Sequence, residues 1–447
     1  MNIIIAGDGE VGFYLARSLT ALNFNITVVD PHSALLKKLE SNADLLTIAG
    51  DSTSPEVLKE ANVSDCDLFL AVLHDESINL ISCMVAKKLK ARRTVARVVN
   101  TEFLNEKNKE MFKQLGVDEM VCPERIAAKE ITNLLNNNVA TEFFDFSGGL
   151  LTMYLVRLEP ESLVVGKSML DLVRSYNNVF VRIVAVLRHS QTFIPHADFV
   201  FEAGDLCYII SKARQQDVIA KLVGKTDVTV NSVAIVGGGR VGRSAAKQLG
   251  DHMDITLVES DIERCRELTS LLDNKTTIIN GDATDIDLMT EERIWENDAF
   301  VAVTNSTETN VLSCLHARRQ GVKRTIALVE NTGFITISQD IGIDTIINKK
   351  LITASYIARF IVKGDAVSSK WLSGTNAELI EFIVKPHSTA TRKPIGELAL
   401  PSDSTIGGVI RGIETILPTR DTQLQADDRV VVFALPHVMN KVSKLFN

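Results

Sequence analysis

A glycine-rich segment near the start of the chain occurs a second time about half-way along it. IIIAGDGEVG at Ile3 to Gly12 returns as VAIVGGGRVG at Val233 to Gly242, an offset of 230 in a chain of 447 residues. In each copy three glycines follow a short apolar run and precede a helical pattern, which predicts a strand, a tight turn and a helix. Such a repeat predicts two copies of one folding unit.

Other segments continue the repeat with small drifts in spacing. Four further pairs match at offsets of 229 to 231 residues: ITVVD ending at Asp30 with ITLVE ending at Glu259, GDST from Gly50 with GDAT from Gly281, LAVLHDESINLISC from Leu70 with VAVTNSTETNVLSC from Val301, and RTVARVVN from Arg93 with RTIALVEN from Arg324. Drifts of one or two residues are typical of loop insertions between two copies of one fold.

Each copy divides again into two parts. In the first part, short apolar runs alternate with helical patterns, which predicts a parallel sheet covered on both faces. The second part is strand-rich, as in LLTMYLVRL and DLCYIIS, and predicts a small α+β lobe. We therefore expect an α/β protein with two Rossmann-like parallel-sheet domains, each followed by a small lobe. The expected boundaries are 1–138 and 231–362 for the sheet domains and 142–226 and 370–447 for the lobes.

Composition narrows the class of function. There are 48 basic and 56 acidic residues, a formal net charge of −8, which disfavours nucleic-acid binding because that depends on a lysine and arginine excess. The longest stretch without a charged residue, Val228 to Gly239, is shorter than the ~20 residues of a membrane-spanning helix. We expect no transmembrane segment and, from the N-terminal sequence, no signal peptide.

The cysteines and histidines give no pattern of catalysis or metal binding. The six cysteines form no CxxC pair and do not cluster with histidine, so we expect reduced thiols packed as small apolar groups. His74 has no histidine counterpart in the second copy, which disfavours it as a catalytic base. We expect no catalytic residues and no metal site.

The glycine loops have a specific chemistry in this context. Gly7 permits the tight turn, Gly9 lets the backbone approach a pyrophosphate, and Gly12 lets the helix lie close to the strand. The helix N-terminus then presents N–H groups and a partial positive charge to phosphates. Asp30 and its counterpart Glu259 are placed to accept hydrogen bonds from both hydroxyls of an adenosine ribose, which disfavours a 2′-phosphate. The alternative is a pair of Rossmann-like domains that have lost their ligand.

The two loops differ in charge. Asp8 and Glu10 surround the first, whereas Gly238 and Arg240 replace them in the second, with Arg243 one turn into the helix. We therefore expect a dinucleotide at the first site and tolerance of more phosphate charge, as in ADP or ATP, at the second.

Other candidates lie at the carboxyl ends of the predicted strands. Arg97 is placed to contact a phosphate or adenine, with a surface salt bridge as the alternative; its counterpart is Leu328. Asp51 and Asp282, each two residues before a threonine, fit an adenine-side position, but a turn or a helix cap explains them equally well. The remaining pairs end the fourth strand of each sheet: Leu73 and His74, and Thr304 and Asn305.

The doubled order of these segments resembles the regulator-of-potassium-conductance family. Each copy has strand-GxGxxG, an acid, GDxT and an AVxxxxExN-like segment, and the first lobe adds GKSMLDL and FEAGDLCYII. The resemblance covers nearly the whole chain. It implies nucleotide contacts by the residues of both loops and by the strand-end positions given above: Gly7, Asp8, Gly9, Glu10, Val11, Gly12, Asp30, Asp51, Leu73, His74 and Arg97, then Gly237, Gly238, Gly239, Arg240, Val241, Gly242, Glu259, Asp282, Thr304 and Asn305.

The resemblance also implies partners and a location. Members of the family bind NAD(H), with ADP or ATP as alternative ligands, and alter the gating of a separate potassium-conducting membrane subunit. This implies a homo-oligomeric, tetrameric ring that lies peripherally on the cytoplasmic face of the inner membrane. Two other readings stay open: a nucleotide sensor with a partner that is not a channel, and an NAD-dependent oxidoreductase. The second is disfavoured because the two lobes share no recurring catalytic residue set.

Overall fold

The computed structural model describes the chain except residues 8, 22–23, 42–43, 137–139, 141, 176–179, 190, 213–214, 225–228, 274, 332, 342, 344, 362–365, 372–376 and 447. It contains two six-stranded parallel sheets and two five-stranded antiparallel sheets in the order predicted from the repeat. The predicted fold class is therefore confirmed. The domain boundaries given above stay predictions.

The first parallel sheet is formed by residues that alternate between strand and helix. Its elements are β1 (Asn2–Ala6), α1 (Glu10–Ala21), β2 (Asn25–Asp30), α2 (Ser33–Glu40), β3 (Leu46–Ala49), α3 (Pro55–Glu60), β4 (Leu68–Ala71), α4 (Glu76–Lys88), β5 (Thr94–Arg97), α5 (Glu106–Gln114), β6 (Glu119–Val121) and α6 (Pro123–Asn136). The strand order is β3-β2-β1-β4-β5-β6. The order reverses between β1 and β4, so a crevice opens at their carboxyl ends.

The first lobe follows as an antiparallel sheet with two helices. Its elements are β7 (Glu142–Phe146), β8 (Leu151–Arg157), α7 (Met169–Ser175), β9 (Val181–Arg188), β10 (Gln191–Phe193), β11 (Leu206–Lys212) and α8 (Gln216–Val223). The strand order is β10-β9-β11-β8-β7.

The second parallel sheet repeats the first. Its elements are β12 (Ser232–Val236), α9 (Arg240–Leu249), β13 (Asp254–Glu259), α10 (Ile262–Leu271), β14 (Thr277–Asn280), α11 (Ile286–Glu291), β15 (Ala299–Ala302), α12 (Thr307–Arg319), β16 (Arg324–Leu328), α13 (Gly333–Asp340), β17 (Thr345–Ile347) and α14 (Lys349–Ile361). The order β14-β13-β12-β15-β16-β17 is that of the first sheet, element for element.

The second lobe repeats the first in the same way. Its elements are β18 (Ala366–Trp371), β19 (Glu378–Ile383), β20 (Ser404–Arg411), β21 (Glu414–Ile416), β22 (Arg429–Ala434) and α15 (Pro436–Phe446). The strand order β21-β20-β22-β19-β18 matches that of the first lobe. Both lobes even carry a register shift between the equivalent strand pairs, β9 with β11 and β20 with β22.

An ion pair between an arginine and a buried aspartate is repeated in the two lobes at an offset of 223 residues. Arg188 donates to Asp205 through Nε (2.6 Å) and Nη2 (2.7 Å), and Arg411 donates to Asp428 through the same two nitrogens at 2.8 Å each. Both aspartates are almost fully buried. The bidentate geometry satisfies charges that would otherwise be costly to bury.

The two antiparallel sheets pack against each other. Their shared apolar core includes Leu151, Met153 and Tyr208 from the first lobe and Val431 and Phe433 from the second. Two glycines make close approach possible: a Cβ at Gly407 would lie 2.1 Å from Cδ1 of Ile210, and one at Gly408 would lie 2.6 Å from Cδ1 of Leu151. A single methyl group added at either glycine would therefore clash with the opposite lobe, so the two sheets are closely packed at these positions.

The chain divides into two compact units, residues 1–127 with 349–357, and residues 128–348 with 358–447. The lobe pair and the second parallel sheet belong to the second unit. Within the described ranges, no helix is both long and apolar enough to cross a membrane.

The helices that follow the two glycine loops bury equivalent positions. Leu15 and Leu19 of α1, and Ala245 and Leu249 of α9, are buried and lie four residues apart in each helix. All six cysteines are buried, as expected for small apolar side chains. Burial raises the pKa of the Cys66 thiol to about 11, so that thiol is unreactive at neutral pH.

Candidate functional site

The two glycine loops have the same backbone geometry. Gly7 and Gly237 have φ of +116° and +105°, which favours glycine, and each N–H donates to the neighbouring strand, at Val29 O (3.0 Å) and Val258 O (2.8 Å). A Cβ at Gly12 or at Gly242 would lie 1.9 Å from the carbonyl oxygen of Gly7 or of Gly237. The predicted roles of a tight turn and a close helix approach are therefore visible in both copies.

The middle glycine of each loop is different, because it faces open space. A Cβ at Gly239 would meet nothing within 4 Å, and one at Gly9 would meet only Nε2 of His74, at 3.7 Å. Gly9 precedes α1 directly and Gly239 is the residue before the first turn of α9. The first N–H groups of a helix have no partner within the helix and attract anions. Each loop thus places an uncrowded glycine at a helix N-terminus.

The second loop opens onto a cleft of about 310 Å³. The cleft is lined by loop, strand-end and switch-point residues: Val236, Gly237, Gly239, Val258, Glu259, Ser260, Arg264, Gly281, Asp282, Ala283, Val303, Thr304, Asn305, Ser306 and Thr309. Six residues predicted from the sequence therefore meet in one cavity: Gly237, Gly239, Glu259, Asp282, Thr304 and Asn305. Val241 and Gly242 lie buried in the first turn of α9.

The basic side chain in the lining is Arg264 and not Arg240 or Arg243. Arg240 and Arg243 are exposed and lie outside the lining of the cleft. Arg264 approaches Glu259, with 3.7 Å between Nη1 and Oε2. The sequence reasoning missed Arg264, because its counterpart in the first copy is Leu35 and no glycine motif points to it.

Glu259 is buried at the end of β13 with most of its hydrogen-bonding capacity in use. Its carboxylate accepts from the N–H groups of Gly238 (2.8 Å) and Asp261 (2.9 Å) and from Oγ of Ser260 (3.3 Å). A carboxylate offers about four lone-pair sites. A ribose diol at Glu259 therefore needs one of these bonds, of which the Ser260 bond is the longest, to give way.

Asp30 occupies the same place in the first sheet, at the buried end of β2. Its Oδ1 accepts from the backbone N–H of His32 (2.9 Å) and lies 2.8 Å from Nδ1 of the His32 ring. Asp8 and the side chain of Glu10 lie outside the described residues, so their predicted position near the phosphates stays a prediction. Val11 is half-buried in the first turn of α1, next to the buried Gly12.

Asp51 and Asp282 form turns rather than helix caps. In each copy the carboxylate accepts from N–H and Oγ1 of the threonine two residues later, at 2.7 to 2.8 Å. The helices that follow are capped by Ser54 and Asp285. The bonds from Thr284 hold the pKa of Asp282 below its ordinary value, so this carboxylate stays charged at the edge of the cleft.

Arg97 ends β5 and is largely buried. Its side chain is 16% exposed, its Nη2 lies 3.6 Å from Oε1 of Glu124, and its Nε is buried without a hydrogen-bond partner. A surface salt bridge does not describe this environment. In the second sheet the equivalent Leu328 is a buried core residue.

A buried asparagine in each copy fixes the switch-point loop, and the sequence reasoning missed both. Asn79 exchanges two hydrogen bonds of 2.9 Å with the backbone of Leu73 and donates to Arg97 O at 2.9 Å. Asn310 does the same with Thr304 (2.9 and 3.1 Å) and Leu328 O (2.9 Å). Their identical spacing in the aligned segments, an offset of 231, is the signal that identifies them.

Together the fold and the glycine loops define a class: a tandem protein of two Rossmann-like units, each with a glycine loop before the first helix of its sheet and an antiparallel lobe. Residues 3–123 and 233–349 match the TrkA-N domain family, and residues 153–224 and 379–447 match the TrkA-C domain family.

Curated relatives span the whole chain. The chain is 32% identical over 439 residues to the Trk system potassium uptake protein TrkA of Halomonas elongata, covering 97% of this chain and 96% of that protein. It is 32% identical over 449 residues to the Trk system potassium uptake protein TrkA homolog of Archaeoglobus fulgidus, covering both completely. The chain belongs to the TrkA family.

Solved structures share the fold across the full length. The GsuK RCK domain aligns with a TM-score of 0.60 at 18% identity, covering 100% of this chain and 94% of that one. The GsuK channel bound to NAD aligns with the same TM-score and identity, covering 100% of this chain and 78% of that one.

Proposed function

We propose that this protein is the nucleotide-sensing regulatory subunit of a Trk-type potassium uptake system. It binds NAD(H), with ADP or ATP as alternative ligands, in the clefts of both parallel sheets. It assembles as a homo-oligomeric ring on the cytoplasmic face of the membrane, docks on a potassium-conducting subunit and gates potassium uptake. The oxidoreductase alternative has less support, because the charged residues in the lining of the described cleft, Glu259, Asp282 and Arg264, do not make up a recognisable acid-base pair for hydride transfer.

The observation that carries the proposal is the repeated cleft. Each sheet has a glycine loop at a helix N-terminus, a buried acid at the end of the next strand and an asparagine-braced switch point. This arrangement suits an adenine dinucleotide, because a helix N-terminus matches a phosphate and a buried acid at the end of the next strand matches a ribose diol.

The relatives support the transport role. The curated relatives are named potassium uptake proteins, and one structure of similar fold is a channel bound to NAD. Another structure of GsuK, aligned at a TM-score of 0.51 over 80% of this chain, is bound to ADP. A ligand controls such a partner only through different affinities for two conformations, which several coupled sites in a ring supply in increments.

The first test blocks each site without disturbing the fold. Gly9→Asp and Gly239→Asp place a carboxylate where phosphate is expected, at positions whose Cβ meets no backbone atom. Gly9→Ala and Gly239→Ala are the matched controls, since they add the same Cβ without charge. Calorimetry with NAD⁺, NADH, ADP and ATP is expected to show two sites per chain in the controls, one in each aspartate variant and none in the double variant.

The second test measures regulation. Vesicles that contain the matching Trk membrane subunit are expected to change their potassium flux when NADH or ATP is added with the wild-type protein, and not with the double aspartate variant. Absence of nucleotide binding by the wild-type protein would reject the proposal. Binding without any effect on flux would favour the sensor with a different partner.

A further inference from the structure

The acid at the ribose end of the first cleft is held by a histidine. His32 lies two residues after Asp30, and its backbone N–H and ring Nδ1 both contact the same carboxylate oxygen, at 2.9 and 2.8 Å. The side chain of Asp30 is 4% exposed and that of His32 is 71% exposed. The Asp30 carboxylate is thus buried, whereas the His32 ring is exposed to solvent and can exchange protons with it.

The second cleft lacks this histidine. At an offset of 229 residues the place of His32 is taken by Asp261, which accepts from the N–H groups of Glu263 and Arg264 and so caps α10. The cation near Glu259 is Arg264 instead, with 3.7 Å between Nη1 and Oε2. A guanidinium keeps its charge at every pH that a folded protein tolerates, whereas an imidazole changes its charge between about pH 5 and 8.

We propose that His32 is a positioning residue that makes nucleotide binding in the first cleft depend on pH, while binding in the second cleft does not. The proposal rests on the proposed function, because it concerns the same nucleotide sites. A protonated ring forms an ion pair with Asp30 and keeps Oδ1 occupied. The ribose hydroxyls then compete with a charge-assisted bond for a partly neutralised acceptor.

The sign of the effect follows from this competition. At higher pH the neutral ring holds Asp30 by an ordinary hydrogen bond, and the exposed side chain has room to turn away. The carboxylate then accepts the ribose hydroxyls at full charge. Affinity in the first cleft is therefore expected to rise with pH, and a difference of about fivefold between pH 5.5 and pH 8.0 corresponds to the change from an ionic to a neutral partner.

Among the described side chains, other charged or ionisable groups near the first cleft include Arg97 at the end of β5, Asp51 and His74. Asp51 follows the neighbouring strand β3, and its carboxylate is bound to N–H and Oγ1 of Thr53 at 2.8 Å. His74 lies beside Gly9 at the phosphate end. His74 is a second source of pH dependence, so the experiment has to separate it from His32. Its counterpart in the second sheet, Asn305, supplies the matched substitution.

The experiment uses the full chain with the second cleft blocked by Gly239→Asp, and NAD⁺ as the probe because its phosphates do not titrate in this range. Dissociation constants are measured by calorimetry from pH 5.5 to 8.0, with unfolding curves at each pH to verify folding. In this background we expect weaker binding at low pH, by about fivefold. His32→Asn is expected to remove the dependence and His74→Asn to retain it. The Gly9→Asp background, which reports the second cleft, is expected to be flat.

The outcomes separate the inference from the proposed function. Binding that does not vary with pH in the Gly239→Asp background, or a dependence that survives His32→Asn, overturns the role of His32 and leaves the nucleotide sites intact. A dependence lost in His74→Asn alone assigns the effect to the phosphate end and also overturns it. No NAD⁺ binding at any pH in the wild-type protein rejects the proposed function itself.

Discussion

In both parallel sheets a buried asparagine, Asn79 or Asn310, holds the switch-point loop to the end of the next strand with the same set of backbone hydrogen bonds. The charged side chains around these loops differ: His32 and Arg97 stand at the first cleft, and Arg264 and a buried Leu328 at the second. Backbone geometry has been kept in the two copies while the charges have diverged. We infer that the shared backbone contacts are needed to form the site, and we propose that the divergent charges set the ligand preference of each copy.

The largest effect is expected where the shared backbone is tightest. Gly12→Ala or Gly242→Ala places a Cβ 1.9 Å from a carbonyl oxygen and should lower the stability of its own sheet domain by about 3 to 4 kcal/mol. Gly9→Ala and Gly239→Ala, which point into open space, should change stability by less than about 1 kcal/mol. Denaturant unfolding of the four variants tests this; equal losses at all four positions would contradict the shared geometry.

The asparagines come next. Asn79→Leu and Asn310→Leu each remove the bonds that brace a switch point and leave backbone groups of that loop without partners, at a cost of about 2 to 3 kcal/mol. Hydrogen exchange should show lost protection at Leu73 in one variant and at Thr304 in the other. A loss of protection in only one of the two variants would contradict the inference that Asn79 and Asn310 have the same role.

A smaller effect is expected where the copies diverge. Arg97→Leu introduces the residue type of the second copy but leaves Glu124, only 10% exposed, without its cation, at a cost of about 1 to 2 kcal/mol. Adding Glu124→Gln should recover part of the loss, because the uncompensated buried charge is then gone. A double variant no more stable than Arg97→Leu would mean that the two side chains are not coupled.

The smallest effect concerns acid stability at the second cleft. The pKa of Asp282 is lowered by hydrogen bonds from Thr284, so this carboxylate stabilises the fold above its unfolded-state pKa and loses that contribution as pH falls through its lower folded value. Asp282 is mostly exposed, which limits the contribution to less than about 1 kcal/mol. Asp282→Asn should therefore unfold slightly more easily than wild type at pH 7 and equally at pH 2. Thr284→Ala, which removes one of the donors, should reduce the pH dependence.

The repeat made most of the fold predictable. Two copies of one pattern constrain each other, so the sheet-lobe order and the strand-loop-helix units of both glycine loops could be predicted from matched segments alone. The turn at Gly7 and the close approach at Gly12 could also be predicted, because few residues other than glycine satisfy those positions.

The charges around the clefts were less predictable. Sequence position placed Arg240 and Arg243 near the phosphates; both are exposed and outside the lining of the cleft, whereas Arg264 of α10 is part of that lining. The contact between His32 and Asp30 depends on side-chain direction after a proline, which no periodicity describes. Asn79 and Asn310 were present in the aligned segments, but a polar residue on a helix is usually solvated, and only the structure places these two in the core.

The packed lobes have a consequence for assembly. If two such lobes belonged to separate chains, their pairing would depend on protein concentration. Here the apolar surfaces that include Tyr208 and Phe433 belong to one polypeptide, so the second surface is supplied at a high effective concentration by the connecting chain. Because both lobes are in one chain, their association is intramolecular and not a concentration-dependent association of two molecules. Dilution of the protein cannot separate the lobes while the chain is intact.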